Sequence, residues 1–111
     1  MPDATGPFIG RLGFGRTPAL VVVDMVTGYT DPACVLCIGE QADDLVSSIV
    51  RLVDTSRTAG IPIVYTGVTI SADGVDGGIF FRKVPSLSIF QPGGEFARFV
   101  PELSPLENET V

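Results

Sequence analysis

Read by the spacing of its apolar residues, the chain falls into segments of different period. Ala19 to Asp24 is a continuous, largely β-branched apolar run closed by a carboxylate, the pattern of a strand buried on both faces in a parallel sheet flanked by helices. From Glu40 to Ala59 the apolar residues Ala42, Leu45, Val46, Ile49, Leu52 and Val53 recur at spacings of three and four, which places them on one helical stripe. Glu40, Asp43 and Asp44 sit in its first turns, Arg51 and Arg57 later, and Gly60 just past its end, as the helix dipole and C-terminal capping favour. The run IPIVYTG, residues 61 to 67, follows at once as a second apolar strand. Strand, helix and strand in that order predict a right-handed βαβ unit.

The remaining segments are less regular. Residues 1–18 hold four glycines and three prolines among isolated apolar side chains, and read as an N-terminal arm suited to packing on a neighbouring subunit. Residues 19–111 carry the predicted elements and read as part of an α/β domain. SADGVDGG, residues 71 to 78, is too irregular for a phosphate cradle or a calcium loop and reads as a flexible loop. GRLGFG precedes a strand instead of following one, which argues against dinucleotide binding. Phe80 to Phe90 is expected to be loop with about one helical turn, Glu95 to Val100 a short helix before Pro101, and LSPLENETV a loop leading into a strand at Thr110 and Val111.

Composition narrows the class. With 111 residues, 45% hydrophobic and 18% charged, the chain is globular and holds at most one domain. So high an apolar content implies a dense core or surface meant to be covered by more protein. The net charge of −6 and the scatter of seven basic residues remove the footprint that nucleic acid needs. No apolar run approaches the roughly 20 residues that span a bilayer, and the N-terminus lacks signal-peptide character. A soluble cytoplasmic protein is expected.

Histidine is absent, which excludes imidazole metal sites, Ser-His and Cys-His dyads and imidazole acid/base catalysis. Chemistry must come from carboxylates, lysine or thiols. The two cysteines, Cys34 and Cys37, have C-x-x-C spacing. They read as a redox pair, as half a zinc site short of two further ligands, or as two small hydrophobic residues in a loop. Asp24 asks for an explanation, because a carboxylate ending an apolar run is costly to desolvate without a partner or a task. In open parallel sheets ligands bind outside the carboxyl ends of the strands, and Asp24 occupies that position. Either it caps the following loop by accepting backbone N–H bonds or it does chemistry.

At these residues the chain resembles the isochorismatase-like cysteine hydrolases, and within them the N-carbamoylsarcosine amidase and maleamate amidase group. GFGRTPALVVVDMVTGYTDP is similar to that group's opening strand and loop, LVDTSRTAGIPIVYTGV to its first helix and second strand, and FRKVPSL with FVPELSPLENETV to its middle segment. The likeness covers nearly all of residues 13–111. It implies a Rossmann-like three-layer α/β fold, cut after about the start of the third strand. It also implies an amidase that cleaves a small carbamoyl or amide substrate and releases ammonia through a Cys, Lys and Asp triad.

Asp24 matches the triad aspartate. Tyr29 matches the aromatic residue that lines the substrate pocket, with loop packing as its other reading, and Arg82 falls in the segment approaching the site, where it would hold a substrate carboxylate or else be a solvated surface arginine. In the family the triad lysine and cysteine lie beyond a segment like PLENETV, so Lys83, Cys34 and Cys37 do not match them, and the chain alone is expected to be inactive. No cofactor and no metal are expected. The expected partners are a small-molecule amide, the C-terminal remainder of the domain, and other copies in a homo-oligomer.

Three alternatives accompany this reading. One is a non-catalytic α/β scaffold or interaction fragment. Another is vinyl ether hydrolysis of the isochorismatase type, in which Asp24 would act as a general acid/base without a thiol. The third, a nucleotide-binding domain, is disfavoured because DMVTGYTDP offers one glycine where a glycine-rich turn is needed.

Overall fold

The computed structural model describes residues 6–111; the first five residues of the expected arm lie outside that range. Four consecutive residues, Leu20–Val23, form β1. They pair in parallel with β2, Ile63–Thr66, in the register Leu20 with Ile63 through Val23 with Thr66. β-Branched residues dominate β1 because their branched side chains pack well on a pleated surface.

Between the strands run α1, a single turn at Thr27–Thr30, and α2, Ala42–Ala59. The helix α2 carries Asp43 and Asp44 in its first turn and Arg57 in its last. It stops at Gly60, whose φ of 72° is left-handed. There the Gly60 N–H bonds the Arg57 carbonyl and the Ile61 N–H bonds the Ser56 carbonyl, the paired closure of a Schellman motif. That cap turns the chain directly into β2.

α2 lays Val53, with Val46, Ile49 and Val50, over a core of Val22, Met25, Ile63, Tyr65, Val100 and Leu103. A second cluster, Val26, Leu87 and Phe90, gathers Tyr29, Leu36 and Phe81 around it. It is built from α3, Gly78–Lys83, and the short 3₁₀ turns Pro85–Ile89 and Glu95–Ala97. A further turn, Pro101–Leu103, seats Leu103 under α2. On the far side of β2, Thr110 makes a parallel bridge to Val64 and accepts the Tyr65 N–H at 2.9 Å. Among the described residues the sheet thus has two strands, and the strand expected at Thr110 and Val111 is present only as this isolated bridge beside β2.

Two further expectations change. β1 is not covered on both faces: Val22 is buried, but Val21 and Val23 are 53% and 62% exposed, because among the described residues only the α2 side of the sheet is packed. In the helical stripe, Leu45 and Leu52 are 39% and 55% exposed; they flank the buried line of Ala42 and Val53. In the arm, Phe8, Leu12 and Phe14 lie almost fully exposed on irregular backbone. No helix among the described residues is long and apolar enough to cross a membrane.

Candidate functional site

β1 gives way to Asp24, whose φ is 53°, the one positive φ outside glycine among the described residues. Aspartate is among the few side chains that tolerate this left-handed geometry. The Val26 N–H donates back to the Asp24 carbonyl at 2.9 Å, and Met25 and Val26 drop into the core at 7% and 0% exposure. Asp24 is thus held between a paired strand and two anchored hydrophobic residues, so the surroundings enforce its unusual backbone.

The carboxylate does not cap the loop that follows it. Its Oδ1 accepts the Thr66 hydroxyl at 2.7 Å across the strand pair, while the Asp24 N–H donates to the Thr66 hydroxyl oxygen at 3.0 Å and to the Thr66 carbonyl at 3.1 Å. One oxygen is therefore positioned, and Oδ2 receives no hydrogen bond among the described residues. A half-buried carboxylate with a free lone pair can take and return a proton.

Beside it opens a groove of about 360 Å³ whose walls include Val23, Tyr29, Ile38 and Leu45. Tyr29 comes from α1 and is braced twice. Its ring meets Phe90 with centroids 5.1 Å apart at 54°, and its carbonyl accepts the Ile38 N–H at 2.9 Å. Burial, and secondarily the charge of Asp24, push the Tyr29 hydroxyl above its ordinary value of 10.0, so it remains a neutral donor at physiological pH. Apolar walls with a few convergent polar groups are the makings of a small-molecule site.

The structure brings Asp24 and Tyr29 into one groove and leaves Arg82 out of it. Arg82 is exposed on α3 and lines a separate depression with Asp73 and Phe81. Lys83, also on α3, and Cys34 and Cys37, in the loop before α2, do not line the Asp24 groove either. Thr66 is the residue that reading the sequence missed. The available signal was positional: it ends the second strand just as Asp24 follows the first, so parallel register places them side by side.

A parallel α/β unit with a fixed carboxylate at the carboxyl end of its first strand is the framework of an open-sheet α/β domain, a class in which ligands bind at the strand ends. Comparison with known proteins narrows this. Residues 18–111 match the isochorismatase domain, and the chain belongs to that family. It is 31% identical to maleamate amidohydrolase of Pseudomonas putida, over 91% of this chain and 47% of that protein. It is 25% identical to N-carbamoylsarcosine amidase of an Arthrobacter species, over 94% of this chain and 40% of the relative. Among solved structures, a cysteine hydrolase from Pseudomonas syringae pv. phaseolicola superposes with a TM-score of 0.75 at 25% identity, covering 83% of this chain and 43% of that one. The chain spans about half the length of the curated relatives it matches.

Proposed function

We propose that this chain is the part of an amidohydrolase that supplies the proton-transferring carboxylate, Asp24, for cleavage of a small carbamoyl or amide substrate. The observation carrying the reading is the placement of Asp24, fixed by Thr66 at the mouth of a parallel sheet and bordering an apolar groove that also presents Tyr29. The names of the two curated relatives support an amide as the bond attacked.

In this reading Asp24 takes the proton of a thiol, the thiolate attacks the amide carbon, ammonia leaves, and water hydrolyses the acyl-enzyme. The thiol and the ammonium that favours its anion are not Cys34, Cys37 or Lys83, which do not border the groove. They come from other polypeptide that completes the domain, and the chain by itself is inactive. Exposed Val21 and Val23 on the sheet, and Phe8 and Phe14 on the arm, support partners of that kind, whether the rest of the domain or further copies.

The test is ammonia release from maleamate and from N-carbamoyl amides, measured on the domain completed with downstream sequence. Asp24→Asn is the informative variant, since asparagine also tolerates the left-handed backbone. Loss of one acid/base group predicts roughly a 10²–10⁴-fold fall in turnover. Equal turnover in wild type and variant would remove Asp24 from the chemistry.

A further inference from the structure

The loop joining α1 to α2 holds a second concentration of chemistry, in a groove that adjoins the Asp24 groove at Thr30. The Cys37 N–H donates to the Cys34 carbonyl at 3.1 Å, closing a β-turn over Val35 and Leu36. Such a turn brings its first and fourth Cα atoms within about 7 Å, overlapping the range of about 4.4–6.8 Å over which a disulfide closes. The two cysteines differ in access: Cys34 is buried at 7% exposure, whereas Cys37 is half-buried. The Gly39 N–H lies 3.5 Å from the Cys37 Sγ and fixes that sulfur. Both residues line one groove of about 460 Å³, together with Thr30 and Glu40. A half-buried thiol and a buried one thus stand at the two ends of a single turn and line the same groove.

We propose that Cys34 and Cys37 form a dithiol–disulfide couple whose oxidant is a low-molecular-weight disulfide of the glutathione class. The Cys37 thiolate attacks one sulfur of the small disulfide, whose S–S bond breaks and releases one thiolate. The resulting mixed disulfide on Cys37 is attacked by the Cys34 thiolate, which forms the protein S–S bond and expels the second small thiolate. Two protein thiols lose two electrons, the small disulfide gains them, and the two cysteine protons end on the two released thiols. The hydrogen bond already closing the turn keeps the two cysteines at its two ends, within the short span a ring closure has to cross.

The experiment equilibrates the 111-residue chain in buffers of graded glutathione to glutathione disulfide ratio, with and without urea. Acid quenching, alkylation, intact mass and peptide mapping then read the products. The expected result is an intramolecular Cys34–Cys37 bond whose equilibrium constant is higher by about tenfold or more in the native chain than in urea. Cys34→Ser should halt at a glutathione adduct on Cys37. Two alkylated thiols at every ratio, an adduct without ring closure in the wild type, a bond between chains, or equal constants in native and urea-unfolded chain would each overturn the proposal.

Discussion

Asp24 and Thr66 grip each other twice: the Thr66 hydroxyl donates to the Asp24 carboxylate at 2.7 Å and its oxygen accepts the Asp24 N–H at 3.0 Å. The threonine thus fixes both the backbone and the side chain of the residue that leaves the sheet. It does so because parallel pairing aligns Val23 with Thr66, which puts the next residue of one strand beside the last residue of the other. A carboxylate held from its neighbouring strand has its orientation set by the sheet instead of by a loop.

Thr66→Val removes that grip while keeping the branched shape. One charged hydrogen bond and one acceptor for a backbone N–H are lost, and partial exposure of the pair lets water replace part of each, so destabilisation of about 1 kcal/mol is expected. Thr66→Ser keeps the hydroxyl and should fall well below that. Urea denaturation of the two variants, with midpoints compared at constant slope, measures the difference.

Tyr29 reports the charge of Asp24. Burial is the larger cause of its raised pKa and Asp24 the smaller, so Asp24→Asn should lower the Tyr29 midpoint yet leave it above 10.0. Two tyrosines are present, so a Tyr65→Phe background isolates the signal. Ultraviolet titration of phenolate absorbance gives the midpoint. No movement on neutralising Asp24 would mean that the carboxylate and the phenol do not share a groove.

Elements with a strong local period were legible in the sequence, and relationships between elements were not. The stripe and Gly60 foretold α2 and its end, and the β-branched runs foretold both strands to within about two residues at their ends, the usual scatter of assigned boundaries. That β1 is bare on the Val21 and Val23 side was hidden, because a continuous apolar run looks the same whether this chain or another polypeptide covers it. Asp24 stood out since a charge at the end of such a run is anomalous. Thr66 did not, since threonine is ordinary in a strand. The stretch from Phe80 to Phe90 was expected as loop with a single turn, and it holds the last four residues of α3 followed by the 3₁₀ turn begun by Pro85. There the packing of Leu87 and Phe90 against Val26, a long-range contact, sets the backbone.

Gly28 is required by a close approach. A Cβ placed on it would lie 2.5 Å from Cε1 of Phe90 and 3.1 Å from the Phe96 carbonyl oxygen, and Phe90 is fully buried. Gly28→Ala should destabilise by about 1–3 kcal/mol through overpacking, against a helix-propensity gain of at most about 1 kcal/mol in this single turn. Because Phe90 also braces Tyr29, the variant should broaden or shift the Tyr29 resonances by NMR. Unchanged stability would show that Phe90 can swing aside, and that the second cluster packs more loosely than its burial implies.

The Thr110 bridge beside β2 is held by a carboxylate of a different kind. Arg57, in the last turn of α2, donates Nε to Glu109 Oε2 at 3.0 Å and Nη2 to Oε1 at 2.7 Å. The Tyr65 hydroxyl and the Leu106 N–H also donate to Oε1, at 3.2 and 2.8 Å. The Arg57 hydrogen bond is the largest cause holding the Glu109 carboxyl at about 2, below its ordinary 4.5, and it outweighs a burial effect that acts upward. A carboxyl depressed by folding stabilises the native state fully above its unfolded value, and that contribution is lost as pH falls through the folded value. Wild type should therefore exceed Glu109→Gln in stability by a constant margin from neutral pH down to about 4.5, and the margin should close as pH approaches about 2. With the Arg57 side chain 29% exposed and that of Glu109 9%, solvent screening keeps the plateau to about 1–2 kcal/mol. Urea midpoints for both chains across that pH range measure the margin. A margin that persists undiminished to pH 2 would assign the effect to shape and not to the ion pair, and would leave the helix-to-strand tie without an electrostatic origin.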